Sequence, residues 1–178
     1  ETIQKQETPL VCFLGRFDRR KQPSKFFELA KYFPDVHFIA IGTGQDSSWQ
    51  KKILKQYNHQ KNLEFSGFIN QFRGDGVIDI LSRSWILVNT SAREGLPTSF
   101  VESAGHQCAI LSTINADNFS SEFGYHVKEG NFVKGLRFLL SKDRWRDRGM
   151  KGYHYVRNLF SVEKAMEKHL QIYQDLLD

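Results

Sequence analysis

The segment Glu94-Gly95-Leu96-Pro97-Thr98-Ser99-Phe100-Val101-Glu102 sets two carboxylates around a turn that enters a helix. Pro97 suits the first helical position, where its missing N–H costs nothing. Thr98 and Ser99 then leave backbone donors free at the positive end of the helix dipole. Such a helix start holds anions readily. Glu102 falls more than one turn up the helix while Glu94 stays in the loop, so the two acceptors bracket an anion at different heights. Carboxylate oxygens accept hydrogen bonds from ribose and sugar hydroxyls, and the pattern therefore suits a phosphorylated, hydroxyl-rich ligand. Gly95 permits close backbone approach, and the small Ser103, Ala104 and Gly105 suit a helix packed tightly on a sheet.

A second cluster is cationic. Residues 16 to 25 carry Arg16, Arg19, Arg20, Lys21 and Lys25 against the single acid Asp18, directly after Gly15 and an apolar run. An arginine fork clamps phosphate and a lysine adds a mobile point charge, so Arg16 and Lys21 are the binding candidates. Arg19, Arg20 and Lys25 read as solvated. Gly42-Thr43-Gly44 lacks the third glycine of a dinucleotide fingerprint and does not match a Walker loop, so it reads first as a tight turn.

Other chemistry is poorly supported. No serine sits in a nucleophile elbow, and no cysteine and histidine cluster has zinc spacing, so no metal is expected. His106 lies one turn past Glu102 but has no nucleophile or metal partner at a useful spacing. It reads as structural or surface, like His37, His59, His126, His154 and His169. Phe119, Phe123, Tyr125, Trp85 and Trp145 read as core or helix packing, and the run from Arg144 to Arg148 as a solvated helix face.

These residues need a frame that brings distant loops together. Short apolar, β-branched runs alternate with amphipathic stretches, the pattern of βα units around a buried parallel sheet. Strands are expected at residues 10 to 15, 36 to 42, 62 to 67, 85 to 90, 108 to 113 and 124 to 127. Helices are expected at 23 to 33, from a Ser47 and Gln50 capping box to Tyr57, at 75 to 83, at 97 to 107, and then at 129 to 140, 142 to 158 and 161 to 177. Such a sheet binds ligands beyond the carboxyl ends of its strands. Gly15-Arg16, Gly42-Thr43-Gly44, Ser66-Gly67-Phe68 and Ser91 to Glu94 all fall there, so four loops should face one crevice.

Composition agrees with one α/β domain: 178 residues, 40% hydrophobic and 25% charged. The net charge of +5 fits a polyanionic ligand or an anionic membrane surface without selecting either. Cys12 and Cys108 sit in apolar runs and read as buried free thiols of a reducing compartment. No run is long and apolar enough to span a membrane, and the polar start from Glu1 to Thr8 lacks a signal-peptide core, so a cytoplasmic protein is expected. A strand so soon after Glu1 suggests part of a longer protein.

Taken together, these residues resemble the nucleotide-sugar-binding half of retaining glycosyltransferases of the GT-B fold, the group 1 family. The marks are Gly15-Arg16 followed by Lys21, the Gly42-Thr43-Gly44 turn, Phe65-Ser66-Gly67-Phe68, and Glu94 paired with Glu102, in that order from about Leu10 onward. The resemblance implies a Rossmann-like, doubly wound, six-stranded parallel sheet forming one half of a GT-B fold. Extra C-terminal helices would complete a single domain over 1–178, with a terminal helix from about 160. It implies that Arg16 and Lys21 bind the donor diphosphate, that Glu102 holds the ribose hydroxyls and that Glu94 contacts the sugar near the reacting carbon. Glu94, Arg16 and Lys21 would be the catalytic set. Backbone at Gly95, Leu96, Thr98 and Ser99 would touch sugar and phosphate, Gly67 and Phe68 would meet the base, and Gly15, Gly42 and Gly44 would line the site.

The same resemblance implies a UDP- or GDP-linked sugar as donor substrate, no cofactor, and transfer with retention in polysaccharide, glycolipid or glycoconjugate synthesis. It implies as partner an amino-terminal acceptor-binding domain of the same protein, without which the isolated chain should bind donor weakly and turn over little or nothing. The basic surface is compatible with peripheral membrane contact. Two departures stand out, Gln22-Pro23 and Gln107, at places where the family commonly has glycine. The competing hypothesis is a non-catalytic Rossmann-like module that binds a nucleotide or a partner. Nucleic-acid binding has only the basic excess behind it.

Overall fold

A computed structural model describes residues 3–70 and 73–177, so the outermost ends of the expected 1–178 domain lie outside the described residues. The strands are β1 Leu10–Leu14, β2 His37–Ile41, β3 Leu63–Gly67, β4 Ile86–Asn89, β5 Ala109–Ser112 and β6 Gly124–His126. All pair in parallel in the order β3-β2-β1-β4-β5-β6. Each expected strand is present, and the near-continuous apolar runs of β1, β2, β4 and β5 follow from burial on both faces. Along β1, Val11 and Phe13 enter one core while Leu10 and Cys12 enter the other.

The helices are α1 Pro23–Leu29, α2 Ser47–Tyr57, α3 Gly76–Arg83, α4 Thr98–Gly105, α5 Phe119–Glu122, α6 Phe132–Leu140, α7 Arg144–Leu159 and α8 Val162–Asp175. Side chains of α1, α2 and α6 fill the first core, and those of α3, α4 and α5 fill the second. The architecture is therefore the doubly wound, Rossmann-like one. Trp145 of α7 is buried and stacks on Trp85 with ring centroids 4.3 Å apart, a packing role as expected. Helix α8 has no buried residue.

Four local expectations need correction. The helix expected over 23 to 33 is α only to Leu29 and closes as a tighter turn over Ala30–Tyr32. The cap of α2 is Asp46, whose carboxylate accepts from the N–H groups of Ser48 and Trp49. A residue one place earlier reaches those donors, and Gln50 is left to accept from Gly44 N–H instead. Pro97 precedes α4 with extended backbone, ψ 134°, so the helix begins at Thr98. The short α5 was not expected; it follows Asp117 and Asn118, both in the left-handed region.

Both departures from family glycine take the backbone shape glycine supplies. Gln22 has φ 48° and Gln107 has φ 60°. At the end of α4, Cys108 N–H donates to Ser103 O and Gln107 N–H to Ala104 O, the pattern of a Schellman cap. Each left-handed residue of this kind costs about 1–2 kcal/mol.

Candidate functional site

In this strand order, β1 and β4 are neighbours from which the chain winds outward in opposite directions, and the crevice between their following loops is the natural ligand position. The loops after β1, β2 and β3 are bound together by backbone. Gly15 N–H donates to Ile41 O, Phe17 N–H to Thr43 O, and Gly42 N–H to Gly67 O at 2.8 Å. Gly42 has φ 140°, and a Cβ there would lie 1.9 Å from Gly15 O. A Cβ on Gly44 would lie 2.4 Å from Phe17 O. The Gly42-Thr43-Gly44 turn therefore serves close loop packing as much as turning.

This arrangement leaves a cleft of about 440 Å³. Gly15, Arg16, Gly42, Gly44 and Phe68 line it, over an apolar wall that includes Ile69. Gly67 supplies the positive φ, 70°, that turns the chain, and Phe68 is 71% exposed at the rim. Three of the four expected loops meet here, whereas Lys21, Glu94 and Glu102 are not part of this wall.

The fourth loop joins through the loop after β1. Asp18 organises that loop: one carboxylate oxygen accepts from the N–H groups of Arg20 and Lys21, both at 2.9 Å, and the other lies 3.3 Å from Arg16 Nε. Ala92 N–H donates to Arg20 O, and Thr90 Oγ1 donates to Lys21 O and Gln22 O at 2.6 and 3.0 Å. The two loops are thereby fixed to each other, and Lys21 Nζ comes 2.8 Å from Glu94 Oε1.

Glu94 is further held by Asn89, whose Nδ2 donates to Oε1 at 3.2 Å. Partial burial pushes the Glu94 carboxyl up, but the bonds from Lys21 and Asn89, with the nearby Ser91 hydroxyl, outweigh it and hold the carboxyl below its ordinary value. Ser91 is 1% exposed and its hydroxyl makes no hydrogen bond of good geometry among the described residues.

Glu102 stands half-buried on α4, and burial raises its pKa. Burial alone causes that shift; among the described residues no hydrogen bond to the Glu102 carboxylate offsets it. No side chain caps α4, which leaves its first amides, including those of Thr98 and Ser99, to water or a ligand. Gly95 and Thr98 are exposed, and Leu96 and Ser99 partly so.

The sequence reading missed Asp18, Asn89, Thr90 and Ser91. The signals were an aspartate two and three places before two backbone donors, and three consecutive polar residues ending an apolar strand. His106 bonds Ser82 Oγ through Nδ1 at 3.0 Å, a structural role. Cys12 and Cys108 are buried free thiols whose pKa burial raises. Among the described residues no group of three or more histidine, cysteine or acidic side chains is placed to hold a metal. Nor is any described helix long and apolar enough to cross a membrane.

The family described as "Glycosyl transferases group 1" matches residues 1–148. No curated protein matches the chain by sequence. Among solved structures, sucrose-phosphate synthase from Thermosynechococcus elongatus is similar at 21% identity with TM-score 0.79, covering 96% of this chain and 46% of that one. A mutant of S. aureus TarM in complex with Fondaparinux, alpha-GlcNAc-glycerol and UDP is similar at 20% identity with TM-score 0.77, covering 96% and 36%. The C-terminal domain of a glycosyl transferase group 1 family protein, LpcC, from Francisella tularensis is similar at 24% identity with TM-score 0.71, covering 86% and 87%. The chain thus spans less than half of the first two and most of the third.

Proposed function

The chain belongs to the group 1 glycosyl transferases, and from that premise we propose that it is the donor-binding half of an enzyme that transfers a sugar from a nucleoside diphosphate. The observation that carries this is the Lys21–Glu94 contact at the β1/β4 switch point, beside a cleft entered by Arg16. The cleft would take the nucleotide, with the base against the Gly67-Phe68 backbone. Arg16, Lys21 and the open amides of α4 would hold the diphosphate. Glu102 would accept from the ribose hydroxyls and Glu94 would face the sugar.

Transfer places negative charge on the departing diphosphate, and fixed cations and amides around it stabilise that charge. Lys21 is engaged by Glu94 in the free protein, so the diphosphate competes with a carboxylate for it. Retention of configuration fits the family resemblance, with no metal or cofactor in the scheme. Because the chain covers 46% and 36% of the two longer relatives, we assign the acceptor site to a further amino-terminal domain. The arginines of α7, Arg144, Arg146 and Arg148, would suit peripheral contact with an anionic membrane.

Calorimetry and thermal shift with UDP, GDP and ADP, each bare and sugar-linked, test this, because ligand binding raises the melting temperature by mass action. UDP comes first, since the TarM structure holds it. Saturable binding weakened by Arg16→Ala and Glu102→Ala is expected. Failure of every nucleotide at millimolar concentration, or indifference to both substitutions, would leave only the non-catalytic module.

A further inference from the structure

Asn89 ends β4 and is 5% exposed. Its amide orientation is fixed by a donor that cannot reverse. Oδ1 accepts from Ser91 N–H at 3.1 Å, and a backbone N–H only donates. With Oδ1 so placed, Ser112 Oγ, which accepts from Ile114 N–H at 2.9 Å, donates to it at 3.3 Å. With both acceptor positions of Oδ1 taken, Nδ2 is turned to Glu94 Oε1.

That oxygen therefore receives two donors, Asn89 from the strand end and Lys21 from the neighbouring loop. The Lys21 bond comes from a flexible side chain that a diphosphate would compete for. The Asn89 bond comes from a buried amide whose orientation Ser91 N–H sets. Were Lys21 to turn to a ligand, the Asn89 amide would still hold the carboxylate in place.

We propose that Asn89 is a positioning residue for Glu94 that governs affinity for the sugar part of the donor and not for the nucleotide part. This rests on the donor-site reading above. The buried Ser91 hydroxyl beside the same carboxylate is a further group a sugar hydroxyl could satisfy.

Asn89→Asp separates this role from simple support of the turn. An aspartate keeps the oxygen that accepts from Ser91 and Ser112 but turns a carboxylate, not a donor, toward Glu94. On the full chain, Asn89→Asp and Asn89→Leu should each weaken binding of the sugar-linked nucleotide by about tenfold or more, the effect of losing a bond to a charged group. Binding of the matching bare nucleotide diphosphate should change by less than about twofold in Asn89→Leu, and in Asn89→Asp, whose added charge also repels phosphate, clearly less than that of the sugar-linked nucleotide. On the unmutated chain, the side-chain amide resonance of Asn89 should shift clearly further with the sugar-linked nucleotide than with the bare one, which draws Lys21 from the shared oxygen but brings no sugar to Glu94.

Equal weakening of both ligands, no weakening of either, or an Asn89 resonance that moves equally with both overturns the inference and leaves the donor site standing. So does an unmutated chain that gains nothing from the attached sugar. If that chain binds no nucleotide diphosphate at all, the donor-site reading falls and the inference falls with it.

Discussion

Lys21 Nζ and Glu94 Oε1 meet at 2.8 Å across the switch point of the sheet, joining the loop after β1 to the loop after β4. Each side chain is well shielded, at 26% and 16% exposure. The contact lowers the charge presented to solvent in the free protein while keeping both groups at the place where a diphosphate and a sugar would lie.

Replacing the cation should expose what it does for the acid. Glu94 titrates below its ordinary 4.5 in the folded chain, so its stabilising contribution is fully present above that value and is lost as pH falls through the folded value. Lys21→Met should therefore destabilise the free chain by about 1 kcal/mol at neutral pH, the upper end for a partly exposed pair. Melting curves of the two proteins should converge on acidification well below 4.5. A gap that stays constant with pH would assign the loss to packing.

Glu102 carries the opposite sign. Burial raises its carboxyl, so the folded state disfavours the charged form; its contribution is favourable below the ordinary value and is lost as pH rises through the folded one. Glu102→Gln should stabilise the ligand-free chain near neutral pH by roughly 0.5 kcal/mol or less, given the half-exposed side chain. It should also weaken nucleotide binding. A variant that melts lower contradicts an unpartnered carboxylate at Glu102, and one that binds as before contradicts its proposed ribose contact.

Gly42→Ala meets both a forbidden φ of 140° and a backbone oxygen 1.9 Å from the added carbon. We expect a loss of about 3 kcal/mol or more, as for other changes that force backbone apart, and loss of nucleotide binding as the loops separate. Chemical denaturation measures the first and calorimetry the second. Near-normal stability would mean that the three loops are not packed as seen.

Thr90→Val removes the hydroxyl that donates to Lys21 O and Gln22 O while keeping the shape of the side chain. Two carbonyls of the cationic loop lose a donor, and a cost of about 1–2 kcal/mol is expected. Hydrogen exchange should quicken at Arg20 to Gln22 more than in the strands. Unchanged exchange there would show that the loop is held by other contacts.

Gln107→Gly should stabilise the chain by roughly 0.5–1 kcal/mol, because glycine enters the left-handed region freely, offset by its larger entropy when unfolded. The melting temperature should rise by about 2–3 °C. A lower one would mean that the Gln107 side chain makes contacts worth more than its backbone strain.

The local patterns were legible in sequence. Burial on both faces makes the central strands continuous apolar runs, and their alternation with amphipathic stretches marked the strands from Leu10–Leu14 to Gly124–His126, while the ordered marks from Gly15 to Glu102 pointed to the family that matches residues 1–148. What only the tertiary structure decided is who meets whom. Lys21 with Glu94, Asp18 under Arg16, and the chain Ile114, Ser112, Asn89, Glu94 all depend on loops brought together by parallel pairing of β1 with β4 and β4 with β5. Periodicity reports the face a residue turns to its own sheet, not the side chain that arrives from another strand end. The buried polar residues Asn89, Thr90 and Ser91 therefore gave no periodic signal, although they fix the geometry on which the site depends.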